Sequence, residues 1–226
     1  MGTCLEAGLL GDLYGAGNPL LLIGPDATER ALFEASASGE LGRCRYLHLA
    51  THGLADGDRP ELSALVLARV SPDPDYDGLL HMRKAFRLKL NADLVALSAC
   101  QTGLGKQMSG EGVVGLSTAF FSAGTPSIVM SLWNVSDIST ALLMRRFYGN
   151  LLAGQRKSTA LREAKSWLRN LTLSDLGELT AREPLLADTA RGLRAVTEAE
   201  KGERTDQKPF AHPHYWAPFI LTGDPR

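Results

Sequence analysis

A short apolar strand that ends in small residues constrains the fold of this chain more than any other stretch. Residues 94–97 are apolar without a break, and Ser98-Ala-Cys-Gln-Thr-Gly103 follows at once. An apolar run of this length predicts a buried strand of a parallel sheet. In open α/β folds, such strands deliver side chains to the carboxyl edge of the sheet, where functional sites lie. The side chain delivered here is Cys100.

A second stretch delivers a histidine in the same way. Residues 46–50 predict another strand, and Thr51-His-Gly53 follows it, so that His52 lies at the strand exit. A thiol nucleophile and an imidazole base are the partners of cysteine catalysis. A histidine about 50 residues before the cysteine is the spacing found in caspase-type cysteine proteases. The two strand ends together therefore indicate a cysteine protease.

The rest of the chain alternates between predicted strands and predicted helices. Further strands are predicted at residues 20–23, 62–68, 127–132 and 214–222, the last at an edge because it contains Pro218. Helical spacing of apolar residues predicts helices at 1–19, after Pro25, and at 81–88, 113–123, 136–150 and 158–168. This alternation predicts an α/β fold with a mostly parallel central sheet and helices on both faces.

The length of 226 residues suits one domain with a sizeable core. We therefore expect residues 1–226 to form a single domain. The first predicted helix begins without a visible cap or a preceding strand, which predicts that the amino-terminal part of the domain is missing. Residues 171–208 carry many charges and few aromatic side chains. That composition predicts a helical or mobile insertion before the last strand.

Composition narrows the class of protein. The formal net charge of -1 gives no electrostatic case for direct binding of nucleic acid or of an anionic membrane, and no apolar run has the length of a transmembrane helix. The three cysteines, Cys4, Cys44 and Cys100, are widely spaced and odd in number, which predicts free thiols in a reducing compartment, the cytoplasm. No His, Cys and Asp residues have the spacing of metal ligands, so neither a metal nor an organic cofactor is expected.

Two glycine-rich stretches raise a nucleotide-binding alternative. Gly103-Leu-Gly-Lys106 resembles the end of a phosphate-binding loop, but Cys100 stands where its first glycine belongs and Gln107 replaces the magnesium-binding hydroxyl. Gly110-Glu-Gly-Val-Val-Gly115 matches a dinucleotide fingerprint, but eleven residues separate it from the strand predicted to end at Ser98, whereas the fingerprint must follow its strand directly. Glycines that let the cysteine-bearing loop pack against a helix explain both stretches better.

Each candidate catalytic residue can also be interpreted as a structural residue without a catalytic role. A free cysteine such as Cys100 is more often a buried structural residue than a nucleophile, and a lone histidine is more often a hydrogen-bonded core or loop residue. Gly53 strengthens the catalytic interpretation of His52, because a glycine lets its N–H approach a substrate carbonyl and form an oxyanion hole with the N–H of Cys100. The remaining histidines are interpreted as structural: His48, His81, His212 and His214.

Five motifs together resemble one family. They are Leu47-His-Leu-Ala-Thr-His-Gly53, Leu97-Ser-Ala-Cys-Gln-Thr-Gly103, Gly110-Glu-Gly-Val113, Ser131-Leu-Trp-Asn-Val-Ser-Asp137 and His212-Pro-His-Tyr-Trp-Ala-Pro-Phe219. In order and spacing they are similar to the motifs of CHAT domains, caspase-like domains that often follow tetratricopeptide repeats and share a clan with separase, caspases and gingipains. The resemblance implies a caspase-like three-layer α/β sandwich with His52 and Cys100 as the catalytic dyad. It also implies cleavage of protein substrates under the control of a regulatory protein, a sensor or a repeat-containing partner.

The expected function is therefore that of a cysteine endopeptidase, with a non-catalytic protein-interaction domain of the same fold as the alternative. Separase-like relatives shape their pocket for the residue before the cut with the loop that corresponds to residues 131–137. By that resemblance Asp137 would favour Arg or Lys, Trp133 would form a wall, and Glu111 is a second candidate acid. The alternative for Asp137 is that it complements the dipole of a helix capped by Ser136.

Overall fold

The computed structural model describes residues 2–15, 19–54, 62–70, 72–101, 111–183, 185–186 and 206–226, with the backbone alone at 2, 99–101 and 111–115. The chain divides into two compact units. The first comprises Met1–Pro19 and Val135–Ala217, and the second comprises Leu20–Asn134 and Pro218–Arg226. The described helices are α1 (Gly2–Tyr14), α2 (Glu29–Ala37), α3 (Met82–Ala85), α4 (Glu111–Ser122), α5 (Asp137–Leu152), α6 (Lys157–Asn170) and α7 (Leu173–Arg182).

The second unit contains a six-stranded sheet. Its strands are β1 (Tyr46–Leu54), β2 (Ala64–Val66), β3 (Leu79–His81), β4 (Leu94–Gln101), β5 (Ser127–Ser131) and β6 (Phe219–Gly223), in the spatial order β3-β2-β1-β4-β5-β6. The neighbours β1, β4 and β5 are parallel, and the other pairings are antiparallel. Four strands therefore run in one direction. This confirms the predicted α/β class with a mostly parallel sheet.

One face of this sheet packs against α2, α3 and α4. Alternate residues of β4 and β5 form a single apolar cluster with these helices; its members include Leu32, Ala35, Ala85, Val95, Leu97, Ala119, Phe120, Ile128 and Met130. Each fully buried leucine or phenylalanine of this kind contributes about 1.5–3 kcal/mol relative to exposure. Leu94 and Ala96, at the intervening positions of β4, are also completely buried. An apolar run without alternation is what a strand buried on both faces requires.

A glycine allows the chain to turn from α4 into β5. Gly124 has φ 118°, a conformation that side chains rarely adopt, and a Cβ there would collide with the carbonyl oxygen of Leu90. The same stretch is held by the Leu90 N–H, which donates to the Ala123 carbonyl at 2.9 Å. The predicted end of the helix at Gly124 is therefore correct. The close approach of two backbones requires this residue type.

The first unit is helical. α5 packs against both α1 and α6, and its Phe147 and Tyr148 are almost completely buried. The ring of Tyr148 meets the ring of Tyr14 edge-on, with centroids 6.0 Å apart. The Asn150 amide is buried and donates to the Ala160 carbonyl at 3.1 Å, which satisfies its polar group and ties α5 to α6.

Several predicted elements differ from the structure. The predicted strand at 20–23 is wrong: these residues lie outside helices and strands, and Leu20 and Leu21 are 39% and 46% exposed. A four-residue apolar run is too short to specify a strand unless a neighbouring strand pairs with it. The helix predicted at 81–88 is only α3, and β3, which ends at His81, was missed. The strand predicted at 214–222 shortens to β6, but it does lie at the edge of the sheet.

The predicted insertion at 171–208 is described only in part. Residues 173–182 form α7, whose first turn carries a capping box between Thr172 and Asp175. Leu176 on this helix is 2% exposed. Residues 184 and 187–205 lie outside the described part of the chain, so the interpretation of the whole segment as an insertion stays a prediction.

Candidate functional site

The register of β1 and β4 brings the two predicted catalytic residues together. Eight consecutive positions pair in parallel, and the seventh pair is His52 with Cys100. Neighbouring strands are about 4.8 Å apart, and residues that pair directly across two parallel strands share a sheet face. Positions 52 and 100 are therefore direct neighbours at the carboxyl ends of their strands.

Both strands extend further than the sequence predicted. Tyr46–Leu54 and Leu94–Gln101 include the two candidate residues, whereas the predicted strands ended at Ala50 and Ser98. The ladder continues because each strand finds a partner for its last residues: His52 and Gly53 pair with Cys100 and Gln101 on one side and with Val66 and Leu65 on the other. A position held on both sides by sheet hydrogen bonds is well suited to fix catalytic geometry.

The histidine is accessible from outside. His52 is exposed, and Gly53 behind it is half-buried. The preceding residue anchors this strand end, because the hydroxyl of Thr51 donates a hydrogen bond to the carbonyl of Val66 on β2. His52 thus combines an anchored backbone with a side chain that is accessible to solvent.

The other two cysteines have different surroundings. Cys4 is exposed on α1. Cys44 is half-buried, and its thiol donates to the Glu40 carbonyl at 3.5 Å. Burial raises the pKa of the Cys44 thiol, which makes its reactive thiolate scarcer at neutral pH. Neither thiol has a histidine as its strand partner, as Cys100 has.

The remaining histidines lie in local hydrogen-bonding or packing positions. His48 is a half-buried residue in the middle of β1, opposite Ala96. His81 ends β3, and its Nδ1 lies 3.0 Å from the Leu62 carbonyl oxygen. His212 caps a short 3₁₀ turn by accepting the N–H of His214 at 3.2 Å.

The predicted pocket residues fall at different places. β5 runs parallel to β4, as expected, and Trp133 follows it at the same edge of the sheet as Cys100, 39% exposed. Asp137 is an exposed residue at the start of α5, in the other compact unit. Ser136 occupies the N-cap position of α5, but its side chain makes no capping hydrogen bond, so the predicted cap is wrong in this respect. Asp137 is the acidic residue in the first turn, where a carboxylate complements the helix dipole. Glu111 is the first residue of α4.

The glycine-rich stretch that raised the nucleotide alternative lies mostly outside the described residues, which resume at Glu111 after a gap at 102–110. Among the residues that the structure does describe, no group of three or more His, Cys, Asp or Glu side chains is arranged to hold a metal ion. Within the same residues, every helix is too short or too polar to cross a membrane.

Sequence reasoning missed a groove of about 600 Å³ between α6 and α7 in the first unit. Its lining includes the Trp167 ring and the carboxylates of Glu163, Asp175 and Glu178. Neither His52 nor Cys100 lines it. The missed signal was the amphipathic spacing of α7 directly after α6, which predicts two helices packed side by side. With no thiol or imidazole in its lining, this groove offers no nucleophile for acyl transfer.

Comparison with known proteins places the chain in a family. The family model of the CHAT domain matches residues 2–224. The chain is 27% identical over 150 residues to tetratricopeptide repeat protein 28 of Homo sapiens, and 26% identical over 136 residues to the protein of the same name from Mus musculus. These matches cover 66% and 60% of this chain but only 5% and 4% of the relatives, so the chain spans about a twentieth of their length. Because the family model covers nearly the whole sequence, the chain belongs to the CHAT domain family.

Proposed function

We propose that the protein is a cysteine endopeptidase that acts through His52 and Cys100. One observation carries the proposal: the only residues that the sequence marks as a nucleophile and base are direct partners in the parallel ladder of β1 and β4. Membership of a caspase-like family supports the same reaction class. Two adjacent strand ends hold such a pair in place before substrate arrives, which reduces the entropic cost of reaching the transition state.

The proposed reaction has two acyl-transfer steps. His52 takes the thiol proton of Cys100, and the sulfur attacks the scissile carbonyl carbon. The backbone N–H groups of Gly53 and Cys100 would stabilise the resulting oxyanion. The C–N bond then breaks as His52 protonates the leaving amine, which leaves a thioester on the sulfur. Water, deprotonated by His52, hydrolyses the thioester and regenerates the thiol.

The proposed setting follows from the same residues and relatives. A thiol that must stay reduced requires a reducing compartment, so we place the protein in the cytoplasm. Both relatives are named tetratricopeptide repeat proteins, which supports control by a repeat-containing region or partner protein. The substrate would be a polypeptide that this partner brings to the site.

A non-catalytic interaction domain is the second candidate function. The names of the relatives specify repeats and no reaction, and a fold does not by itself prove turnover. In this alternative, His52 and Cys100 would be neighbours without activating each other.

Labelling with an electrophilic peptide ketone distinguishes the two functions. An activated thiolate should react at Cys100 much faster than at Cys4 or Cys44, as measured by mass spectrometry of the digested protein. The substitution His52→Ala should slow labelling of Cys100 by at least about 100-fold, the usual contribution of a general base. Labelling of the exposed Cys4 serves as the internal control and should not change. Equal rates at Cys100 in both proteins would contradict catalysis.

We propose in addition that Asp137 recognises a basic residue directly before the scissile bond. Its carboxylate would bind Arg or Lys by charge-assisted hydrogen bonds. The competing role, at the first turn of α5, predicts an effect on stability alone. Peptides with Arg, Lys, Leu or Asp at this position, cleaved by the wild type and by Asp137→Asn, separate the two. A basic preference that survives the substitution unchanged, or none in the wild type, would rule out the pocket role.

A further inference from the structure

Large apolar side chains are exposed on both sides of the His52–Cys100 pair. Leu54 is 46% exposed, Leu62 40%, Leu132 45% and Trp133 39%. Leu54 ends β1, Leu62 lies two residues before β2, and Leu132 and Trp133 follow β5. All four belong to the second unit. We call these four residues the apolar rim.

The strand directions place the apolar rim at the carboxyl edge of the parallel strands. β1 and β5 both end there. β2 is antiparallel to β1 and begins there, because Leu54 pairs with Ala64. The first residue of β2 is thus level with the last residue of β1. The four exposed side chains therefore surround the ends of the strands that carry the dyad.

Leu132 and Trp133 lie beyond the end of the β4–β5 ladder. The last pair of this ladder is Leu97 with Met130, so Trp133 follows it by three residues on one strand, as Cys100 does on the other. The chain bends at this point, and the bend is fixed by two hydrogen bonds. The Ser131 hydroxyl donates to the Trp133 carbonyl at 2.6 Å, and the Leu132 N–H donates to the Pro218 carbonyl at 3.1 Å. The two exposed side chains are thus carried on a defined turn.

Leu62, on the opposite side of the dyad, is also held in place. The Nδ1 of His81, the last residue of β3, lies within hydrogen-bonding distance of its carbonyl oxygen, at 3.0 Å. Leu62 is thereby fixed beside the start of β2 without being buried. An anchored backbone lowers the entropic cost of binding, because only the side-chain rotamers remain to be ordered when a ligand covers the residue.

We propose that the apolar rim binds large apolar side chains on both sides of the scissile bond of an extended polypeptide substrate. This inference rests on the proposed peptidase function and adds its substrate class. Two strand spacings, from β1 to β5, measure about 10 Å, which an extended peptide crosses in about three residues. The apolar side chains of the substrate should therefore lie within about two residues of the scissile bond. The residue that supplies the scissile carbonyl is not among them, because Asp137 is proposed above to recognise it.

Placement distinguishes the rim from other exposed apolar residues of the second unit. Val70 follows β2 by four residues and so lies beyond the opposite edge of the sheet. Phe86 follows α3, which comes directly after β3, a strand that β2 separates from β1. Val70 and Phe86 are 68% and 43% exposed. Neither adjoins the dyad, so both serve as matched controls. Removing one of them changes exposed apolar area without changing the rim.

The test measures peptide binding without catalysis. The substitution Cys100→Ala gives a protein that binds but does not cleave, and fluorescence anisotropy reports the affinity of labelled decapeptides. Peptides with Leu or Phe two residues before and one residue after the scissile bond should bind at least about ten-fold more tightly than peptides with Asp there. Adding Trp133→Ala or Leu132→Ala should weaken the apolar peptide about ten-fold and leave the Asp peptide unchanged. Adding Val70→Ala or Phe86→Ala should change neither.

The possible results separate this inference from the peptidase proposal. Equal binding of both peptides, or equal losses in rim and control variants, would overturn the apolar rim even if the wild type cleaves peptides. A rim variant that changes only the oligomeric state in gel filtration would assign the rim to a second copy of the chain and also overturn the inference. If apolar peptides bind selectively but His52→Ala does not slow the labelling of Cys100, the apolar rim is supported and the peptidase proposal is rejected.

Discussion

Replacing Lys84 by Met should destabilise the second unit, because it removes the cation from a buried carboxylate. Glu29, the first residue of α2, is 1% exposed. Its Oε1 lies 2.6 Å from the Lys84 ammonium, and its Oε2 accepts the Gly78 N–H at 3.2 Å. The same ammonium donates to Asp77 Oδ1 at 2.8 Å. One lysine of α3 thus joins α2 to the residues that precede β3.

The magnitude follows from the burial of the two partners. Breaking a fully buried ion pair costs about 3–5 kcal/mol, because one charge stays uncompensated. Lys84 retains 21% side-chain exposure, so water can partly replace it and we expect a loss of about 3 kcal/mol. The double substitution Lys84→Met with Glu29→Gln removes the unpaired charge and should recover part of this loss.

The pair also predicts a pH dependence. Burial lowers the pKa of Lys84, but its bonds to Asp77 and Glu29 outweigh this effect and leave the pKa above its ordinary value. The resulting stability is fully present below about pH 10.4 and is lost as pH rises through the higher folded-state value. Lys84 lowers the pKa of Asp77, so a second contribution is present above about pH 3.9 and is lost as pH falls.

Urea unfolding followed by circular dichroism measures these effects. With a slope of about 2–3 kcal/mol per molar, the midpoint of Lys84→Met should fall by about 1–1.5 M. The contribution of Lys84 at high pH should disappear, and that of Asp77 at low pH should shrink but persist, because the Leu79 N–H and His81 also lower the pKa of Asp77. The control is Arg45→Met, which breaks the exposed pair with Asp93, whose atoms are 2.8 Å apart. An exposed pair contributes at most about 1 kcal/mol. If Lys84→Met costs no more than this control, the argument from burial is wrong.

Three further predictions test the site and the fold. Cys100→Ala and His52→Ala should each abolish peptide cleavage with little change in melting temperature, and the double variant should lose little more than either single one because the pair acts as a unit; substantial activity of Cys100→Ala would refute the dyad. Limited proteolysis should cut first within 171–208, on the carboxyl side of the capped helix α7, and mass spectrometry that finds the first cuts in the sheet would contradict this. Gly124→Ala should lower the unfolding free energy by about 2–3 kcal/mol in urea titrations, through backbone strain and the collision with Leu90; a neutral effect would show that the turn relaxes at little cost.

The sequence determined the elements that carry their own pattern. The apolar run at 94–97 specified β4, because a strand buried on both faces needs no other signal. Residues 46–50 specified β1, and the polar residues that follow both runs marked His52 and Cys100 as candidates. The parallel pairing of β4 and β5 also followed from the order of strands and helices.

Tertiary structure decided what depends on partners that are distant in the sequence. The strands extend through His52 and Cys100 because their last residues pair with each other, and no local pattern encodes that register. Residues 20–23 have the apolar content of a strand but remain exposed at Leu20 and Leu21, since local composition does not specify a neighbour. The burial of Glu29 against Lys84 could not be predicted from the sequence either. A glutamate is expected to be exposed unless it is paired, and its partner is known only from the folded structure.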